Sequence, residues 1–343
     1  MTYRASDTRY DSMQFRRTGR SGLKLPAISL GLWQNFGGTR DYPSALEILS
    51  YAFDHGVTHF DLANNYGPPP GAAEELFGDI MARDFRPYRD ELIISSKAGW
   101  GMWPGPYGDF ASRKYLIASC EQSLKRMGLD YVDIFYSHRY DPNTPLEETM
   151  GALAHLQRTG KALYVGISSY PAEQTREAHR ILTEMGVPLL IHQPSYSILN
   201  RWIEDDDTIG VCGELGVGVI AFSPLAQGVL SGKYSKGKEG TRAEERNSSL
   251  GGRWLSPKVL GAVDTLGKLA KARKQTLVQM SLAWVLRRKE TTSALIGVRT
   301  LEQLKDCLGA LDNLAFTPKE LTAIDVAVKG AMLDNRPPTD LPD

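Results

Sequence analysis

Short apolar segments recur along most of the chain, and longer segments with helical spacing separate them. Each apolar segment is rich in β-branched or aromatic residues, a pattern typical of strands that are buried on both faces. Strands that alternate with helices form a parallel sheet. Eight such units predict an α/β fold that closes as a (β/α)₈ TIM barrel. The predicted strands span 28–33, 58–61, 91–97, 131–138, 162–169, 189–193, 217–223 and 292–297.

Capping signals predict where the intervening helices begin. Helices are predicted over 44–54 and 112–127, and each is followed closely by a glycine. Four further starts carry a Ser or Thr cap: Thr144, Ser256-Pro257, Thr300 and Thr317-Pro318. At Thr144 the signal is a capping box with Glu147, in which Pro145 takes the first helical position. The helix after Thr317 exceeds the number that a barrel needs, so it is predicted as an extra C-terminal helix.

Two long loops follow predicted strands, over 99–111 and 223–255. In a compact domain, loops of this length are usually functional or disordered. Barrels often exceed 250 residues as one domain, so residues 1–343 are predicted to form a single domain. The two ends, about 1–12 and 334–343, are expected to be loose tails.

The charge balance argues against polyanionic partners. Lys and Arg number 40, as do Asp and Glu, so the formal net charge is zero. Such a chain lacks the basic surface that nucleic acids or anionic membranes require. Three widely spaced cysteines predict neither a disulfide framework nor a zinc site. Residues 1–20 contain no apolar core of a signal peptide, and a cytoplasmic protein without a metal ion is expected.

Polar side chains follow three consecutive predicted strands. Asp61 ends the second strand, with Tyr66 in the loop behind it, while Lys97 and His138 end the third and fourth. The carboxyl ends of barrel strands converge on one site. A phenol needs a nearby cation to become a better acid. Tyr66 is therefore predicted as a general acid, Lys97 as the group that lowers its pKa, Asp61 as the partner of Lys97, and His138 as the group that orients a carbonyl oxygen.

Each of these residues has a structural alternative. Asp61 and Lys97 are equally compatible with an ion pair that only braces the barrel. Tyr66 lies in a turn-like sequence, and an isolated His138 is more often a core residue. The four together favour carbonyl reduction over four separate structural roles.

At this point the residues resemble a known family, the aldo-keto reductases, over about 13–328. Six segments carry the resemblance: GVTHFDLANNYG, ELIISSKAG, YVDIFYSHR, GISSY, IHQPSYSILNR and AFSPLAQGVLSGKY. The resemblance implies NADPH bound across the barrel end. The residues implied to contact it are Trp33, Asp61, Ser168, Gln193, Phe222, Ser223, Leu225, Gln227, Lys233, Gly297, Arg299 and Gln303. Cys307 stands where relatives often place Asn against adenine, which puts that contact in doubt.

The loops bear on the substrate, since loops set substrate choice on a barrel. Trp100, Trp103 and Tyr107 are expected to wall a small pocket. Arg139 or Arg253 is expected to bind a substrate phosphate, although Arg139 is also placed to brace the barrel. The stretch 237–253 is interpreted either as a lid or as a disordered charged tip.

Three functions stay open from sequence. The first is reduction of L-glyceraldehyde 3-phosphate to glycerol 3-phosphate, and the second is a broad aldehyde reductase that removes methylglyoxal. The third is a cofactor-sensing subunit, because the chain is also similar to the β subunits of voltage-gated potassium channels. Those subunits usually carry Asn at the position of His138, so the histidine favours an enzyme. The resemblance further implies a homo-oligomer, a tetramer or larger.

Overall fold

The structure is a computed structural model, and it describes residues 3–38, 40–236, 250 and 252–337. Eight parallel strands close into a barrel in the order β10-β3-β4-β5-β6-β7-β8-β9. The barrel strands are β3 (Ile28–Gly31), β4 (His59–Asp61), β5 (Ile93–Ala98), β6 (Val132–Ser137), β7 (Ala162–Ser168), β8 (Leu189–Gln193), β9 (Gly218–Ala221) and β10 (Thr291–Ile296). All eight predicted strands are confirmed, as is the (β/α)₈ architecture.

Helices surround the barrel and follow its strands. They are α1 (Tyr42–Asp54), α2 (Ala72–Ile80), α3 (Arg113–Met127), α4 (Leu146–Arg158), α5 (Ala172–Glu184), α6 (Trp202–Asp205), α7 (Thr208–Leu215), α8 (Pro257–Ala272), α9 (Leu277–Leu286), α10 (Leu301–Leu308) and α11 (Pro318–Val328). Helix α11 packs against α8 outside the barrel and confirms the extra C-terminal helix. Among the described residues, no helix is both long and apolar enough to span a membrane.

A hairpin that the sequence analysis did not predict precedes the barrel. Its strands are β1 (Phe15–Arg17) and β2 (Lys24–Pro26), which pair antiparallel. Leu25 is fully buried and packs with Ile134, Ile220 and Leu295 of the barrel strands. The hairpin therefore adds an apolar side chain to the core enclosed by the barrel.

Most predicted caps are confirmed, and one is wrong. Ser256, Thr300 and Thr317 each accept a hydrogen bond from a backbone N–H in the first turn of the following helix. Thr144 does not cap α4: no side-chain cap hydrogen bond forms at the start of this helix, and the Thr144 hydroxyl donates to Asp141 Oδ2 at 2.6 Å. The helix begins one residue later than predicted, with Pro145 as its N-cap.

The barrel interior is polar on one side. Ser29, His59, Ser95 and Ser293 point inward from four neighbouring strands, and all four are fully buried. The rest of the interior is apolar and includes Ile134, Tyr136, Ile191, Ile220 and Leu295. Most buried polar groups in proteins are hydrogen-bonded, and these four side chains form a connected chain of hydrogen bonds, as described below.

The N-terminal segment is not loose over the residues that the structure describes, contrary to the prediction for 1–12. The Tyr3 hydroxyl donates to Asp54 Oδ1 at 2.6 Å, and Arg9 forms an ion pair with Glu91 at 2.7 Å. These contacts clamp the segment onto α1 and the turn before β5. The ordering follows from side chains that pair with distant carboxylates, which sequence spacing does not reveal.

The C-terminal segment is also attached over its described part, 334–337. The backbone N–H of Asn335 donates to Asn200 Oδ1 at 3.3 Å, and Leu333 N–H donates to the Leu199 carbonyl at 2.7 Å. The expectation of a loose tail is therefore wrong as far as residue 337. Most of the proposed lid, 237–249 and 251, and residues 338–343 lie outside the described residues.

Candidate active site

A buried ion pair lies where β4 and β5 end. Lys97 Nζ is 2.6 Å from Asp61 Oδ2, and both side chains are completely buried. The same ammonium donates to the Leu62 carbonyl at 2.5 Å. Ser95 and Gln193 both donate to Asp61 Oδ1, at 2.7 and 3.1 Å. The lysine and the carboxylate are thus held by several hydrogen bonds as well as by charge, which a buried pair requires.

Tyr66 and His138 complete the predicted set of four. Lys97 Nζ lies 4.8 Å from the centre of the Tyr66 ring. The rings of Tyr66 and His138 meet edge to face with centroids 6.0 Å apart. Both rings are partly exposed, whereas Asp61 and Lys97 lie beneath them. The structure therefore brings all four predicted residues together at one end of the barrel, with Tyr66 and His138 less buried than Asp61 and Lys97.

Burial dominates the electrostatics of these groups. It raises the pKa of Tyr66, and the nearby Lys97 ammonium opposes that rise without overcoming it. Burial pulls the pKa of Lys97 down, but Asp61 and Tyr66 together outweigh it, and the pKa of Lys97 is raised. The predicted sign of the Lys97 effect on Tyr66 is thus right, while the net direction is upward because water is scarce around the hydroxyl. Tyr66 is accordingly a protonated donor near neutral pH.

His138 is neutral near pH 7. Burial, and then the charges of Lys97 and Arg139, hold its pKa well below the ordinary range. Its Nδ1 is buried and has no hydrogen-bond partner among the described residues. A neutral imidazole beside the phenol hydroxyl is suited to orient a carbonyl oxygen by a hydrogen bond.

The side chains predicted at the nicotinamide lie around the same barrel end. Ser168 and Gln193 are neighbours in the register of β7 and β8, and the Ser168 hydroxyl donates to the Gln193 carbonyl at 2.7 Å. Phe222 follows β9 and is half-buried, while Trp33 follows β3 and is 43% exposed. An amide, a hydroxyl and two aromatic faces thus lie on the strand ends that also carry Asp61.

The loop after β9 forms a turn with a left-handed backbone. Ser223, Ala226 and Gln227 have φ values of 51°, 49° and 57°, and Gly228 has 90°. A Cβ placed on Gly228 would lie 3.7 Å from Lys233 Nζ, so the ammonium lies beside this turn. Successive residues in such conformations present backbone N–H groups as anion-binding concavities. Leu225 and Gln227 are both half-buried in the turn.

Two arginines meet at the start of α10. Arg299 lies next to the N-cap Thr300, and its backbone N–H donates to Gln303 Oε1 at 2.8 Å. The Arg299 guanidinium donates to Asn35 Oδ1 at 3.3 Å, and Arg40 donates to the Arg299 carbonyl at 2.9 Å. Sequence analysis missed Arg40, because its approach to Arg299 depends on the closure of β10 against β3. Two cations at a helix N-terminus favour an anion.

Gly297 and Cys307 flank this helix differently. Gly297 is exposed directly after β10. Cys307 is 2% exposed, and burial raises the pKa of its thiol. The side chain is part of the main hydrophobic core. It therefore has no surface to offer an adenine ring, which agrees with the doubt that the sequence raised.

One predicted pocket aromatic adjoins the four residues, and two do not. Trp100 meets the His138 ring edge to face at 6.4 Å. Trp103 instead packs on Tyr115 at 5.1 Å, and Tyr107 is 58% exposed beside Lys114. The loop folds back on itself through a hydrogen bond between Met102 and Gly108, which directs these two rings away from His138. The expected wall of three aromatics is wrong for Trp103 and Tyr107.

Arg139 and Arg253, the two residues predicted to bind a substrate phosphate, both make contacts within the protein. Arg139 donates to the Gly99 carbonyl at 2.7 Å, pairs with Asp109 at 2.8 Å and stacks on Trp100. Its charge is neutralised and it braces the loop, which is the alternative that the sequence left open. Arg253 donates to the Asp334 carbonyl and to Asn335 Oδ1. It pairs with no carboxylate in the part of the chain that the structure describes.

With this geometry in place, the chain can be compared with known proteins. The sequence pattern described as "Aldo/keto reductase family" matches residues 27–329. The chain belongs to the aldo-keto reductase family. It is 54% identical to L-glyceraldehyde 3-phosphate reductase of Escherichia coli K12 over 331 residues, which cover 95% of both chains. It is also 35% identical to a probable voltage-gated potassium channel subunit beta of Arabidopsis thaliana, covering 92% of this chain and 97% of the relative.

Membership in the aldo-keto reductases makes the chain an oxidoreductase related to aldehyde reductases. Both resemblances expected from sequence are confirmed. The structure also brings two residues that sequence analysis did not single out next to predicted site residues: Ser95 donates to Asp61, and Arg40 donates to the Arg299 carbonyl. Ser95 had a detectable signal, because it lies two positions before Lys97 and so faces the same side of its strand.

Proposed function

We propose that the protein reduces L-glyceraldehyde 3-phosphate to glycerol 3-phosphate with NADPH, and that Tyr66 is the general acid. The observation that carries the proposal is the convergence of Tyr66 and His138 above the buried Asp61–Lys97 pair. When bound, NADPH supplies a hydride to the carbonyl carbon. The chain's own residues then have to orient the aldehyde and deliver a proton to its oxygen.

Each residue of the set has a distinct part in that task. Tyr66 is protonated and donates its hydroxyl hydrogen to the developing alkoxide. Lys97 stabilises the phenolate that remains, since its ammonium lies beside the Tyr66 ring. Asp61 keeps Lys97 charged and fixed. Neutral His138 hydrogen-bonds the carbonyl oxygen and keeps it near the phenol.

The residues present fit a dinucleotide phosphate. The left-handed turn at 223–228, with Lys233 beside it, suits a pyrophosphate. Arg299 and Arg40 at the start of α10 suit the 2′-phosphate that distinguishes NADPH from NADH. Ser168, Gln193, Phe222 and Trp33 would hold the nicotinamide. We assign the cofactor as NADPH on the strength of the paired arginines.

The substrate assignment rests on the name of the 54% identical relative and on one cation. Arg253 is exposed and has neutral hydrogen-bond partners among the described residues, so its charge is available to a phosphate. Trp100 beside His138 supplies an apolar wall for a short carbon chain. Arg139 is not assigned to the phosphate, because Asp109 already neutralises it.

The test compares L- and D-glyceraldehyde 3-phosphate with glyceraldehyde and methylglyoxal, at one pH and one ionic strength. We expect the highest kcat/KM for the L-phosphate, and Arg253→Ala to lower it by about tenfold or more while sparing glyceraldehyde. A tenfold preference for methylglyoxal or another plain aldehyde would identify a broad aldehyde reductase instead. Tight NADPH binding without turnover of any of the four would point to a sensing subunit like the channel relatives.

A further inference from the structure

A continuous chain of hydrogen bonds crosses the barrel interior and ends on Asp61. Ser293 Oγ lies 2.6 Å from Ser29 Oγ, which lies 2.9 Å from His59 Nδ1. His59 Nε2 lies 3.0 Å from Ser95 Oγ, and Ser95 Oγ lies 2.7 Å from Asp61 Oδ1. All five side chains are fully buried. The reduction mechanism described above uses none of the first four.

Counting donors and acceptors fixes the direction of this chain. Asp61 receives hydrogen bonds from Lys97 and Gln193, so it is a carboxylate and only accepts. The single Ser95 hydrogen must therefore lie between Ser95 and Asp61. Ser95 Oγ can then only accept from His59, which places the imidazole hydrogen on Nε2.

The same count of donors and acceptors also fixes the hydrogens of Ser29 and Ser293, at the end of the chain away from Asp61. With its hydrogen on Nε2, a neutral His59 has a bare Nδ1 that accepts from Ser29. Ser29, having donated its hydrogen, accepts from Ser293. Every hydrogen in the chain thus points toward Asp61. In the reverse direction, the 2.7 Å contact between Ser95 and the carboxylate would contain no hydrogen at all.

We propose that His59 is a positioning residue for the active site, acting as a neutral Nε2–H imidazole in a head-to-tail chain of four donors whose last member, Ser95, donates to Asp61. The aligned donors fix one carboxylate oxygen, so that the other faces Lys97. The catalytic consequence rests on the proposed function, whereas the tautomer does not. Chains of hydrogen bonds polarise one another, so His59 strengthens the bond that Ser95 gives to Asp61.

The surroundings keep His59 neutral. Burial lowers its pKa to about 4, while the charge of Asp61 raises it and that of Lys97 lowers it. The ring has hydroxyl partners on both nitrogens, and neither partner is a carboxylate that would favour a second proton. The imidazole therefore transmits orientation across the barrel without carrying charge.

The first experiment reads the tautomer without any assay of activity. Side-chain ¹⁵N NMR of the full-length protein is recorded over the neutral range and down to about pH 5. The signal that Ser29→Ala perturbs and His59→Gln removes is assigned to His59. We expect a protonated Nε2 and a bare Nδ1 that do not titrate in this range. A hydrogen on Nδ1, or an imidazolium, overturns the proposal whether or not the protein reduces aldehydes.

The second experiment uses a matched pair of variants. A glutamine amide nitrogen reaches the position of Nε2, whereas an asparagine amide nitrogen reaches that of Nδ1. We expect His59→Asn to lower kcat by about three- to tenfold, the scale of one lost neutral hydrogen bond. His59→Gln should retain kcat within about twofold, since it still donates to Ser95. NADPH affinity should be unchanged in both, because His59 lies below the cofactor residues.

The kcat values and NADPH affinities of these variants distinguish a positioning role of His59 from a role in packing alone. Equal kcat values in the Asn and Gln variants, or a loss of NADPH affinity that matches the loss of kcat, contradict the proposal. If both variants fail to fold, Ser29→Ala keeps it testable. That variant removes the donor to Nδ1 and should lower kcat measurably, but by less than Ser95→Ala, which removes the donor to Asp61 itself. An unchanged kcat, or a loss as large as that of Ser95→Ala, would contradict the proposal.

Discussion

Tyr66 combines two requirements that conflict in water. It must hold its proton until the substrate is present, and it must then release that proton to an alkoxide. Burial raises the pKa of Tyr66 and secures the first requirement. Lys97, with its ammonium 4.8 Å from the ring centre, serves the second, because it stabilises the phenolate only as charge develops.

Removing the phenol tests this division of roles. Tyr66→Phe should lower kcat by roughly 10²-fold or more, the scale of a lost general acid. Lys97→Met should cause a similar loss, because the phenolate and Asp61 would both lack their cation. The measurements are steady-state kcat and NADPH affinity by fluorescence titration. NADPH affinity should hold in Tyr66→Phe, and a near-normal kcat in that variant would mean that the proton comes from elsewhere.

Arg299 is the residue on which the choice of cofactor should depend. Arg299→Ala should weaken NADPH binding by about tenfold to a hundredfold and leave NADH nearly unaffected, because only NADPH carries the 2′-phosphate. Arg40→Ala is the partner variant, since Arg40 holds the Arg299 carbonyl. The dissociation constants of NADPH and NADH, measured for the wild-type protein and both variants, test this prediction. Parallel losses for NADPH and NADH would exclude Arg299 from phosphate recognition.

The predictable part of this site was its strand-end chemistry. Asp61, Lys97 and His138 were identifiable because polar residues at the ends of apolar strands converge in a barrel. The hydrogen bonds that Ser95 and Gln193 donate to Asp61 were not predictable, since these residues reach it from strands whose register only the closed barrel defines. The role of Arg139 was likewise not predictable, because its pairing with Asp109 depends on how the loop folds.

A buried carboxylate ties α2 and α3 to the barrel. Glu74 on α2 is fully buried, accepts from Ser96 of β5 at 2.6 Å and pairs with Arg126 of α3 at 2.7 Å. The two contacts join two helices and a strand beside Lys97. Such a group is stabilising only while both partners are present.

Removing Arg126 alone should therefore lower the free energy of unfolding more than replacing both Arg126 and Glu74. Arg126→Leu leaves Glu74 charged and buried, and we expect a loss of about 3–5 kcal/mol in the free energy of unfolding. The double variant with Glu74→Gln should recover much of it. Lys125→Leu, at an exposed neighbouring position, is the control and should change stability by less than about 0.5 kcal/mol. Urea unfolding of all three variants measures this, and equal stability of Arg126→Leu and Lys125→Leu would contradict it.

Strands were predicted better than helices, and the reason is physical. Barrel strands are buried on both faces, so they read as continuous apolar runs. Five helices were not individually predicted: α2, α5, α6, α7 and α9. Helix α9 is buried at eight of its ten positions and lacks an amphipathic stripe, whereas the other four begin without a side-chain cap. The hairpin β1–β2 was not predicted because each of its strands is only three residues long.

The N-terminal segment packs against α1 and the turn before β5. Arg9 connects three places at once: it pairs with Glu91 at 2.7 Å, donates to the Ser6 carbonyl at 2.7 Å, and lies over the rings of Phe53 and Tyr88. The guanidinium is mostly buried among these groups. A residue only nine positions from the start thus links the chain's beginning to a helix and a turn far away in sequence.

Two arginines on this one segment allow a controlled test of that link. Arg9→Ala removes the pairing with Glu91 and the contacts with both rings, so we expect a loss of about 2 kcal/mol, or roughly 3–6 °C in Tm. Arg4 pairs with Asp7 at 3.8 Å, but both side chains are more than 80% exposed, and such pairs contribute little. Arg4→Ala should therefore shift Tm by less than about 1 °C. Differential scanning calorimetry at one protein concentration compares the two. Equal Tm values for the two variants would mean that the segment lies on the barrel without stabilising it, whereas the expected difference would make residues 3–12 a structural part of the fold.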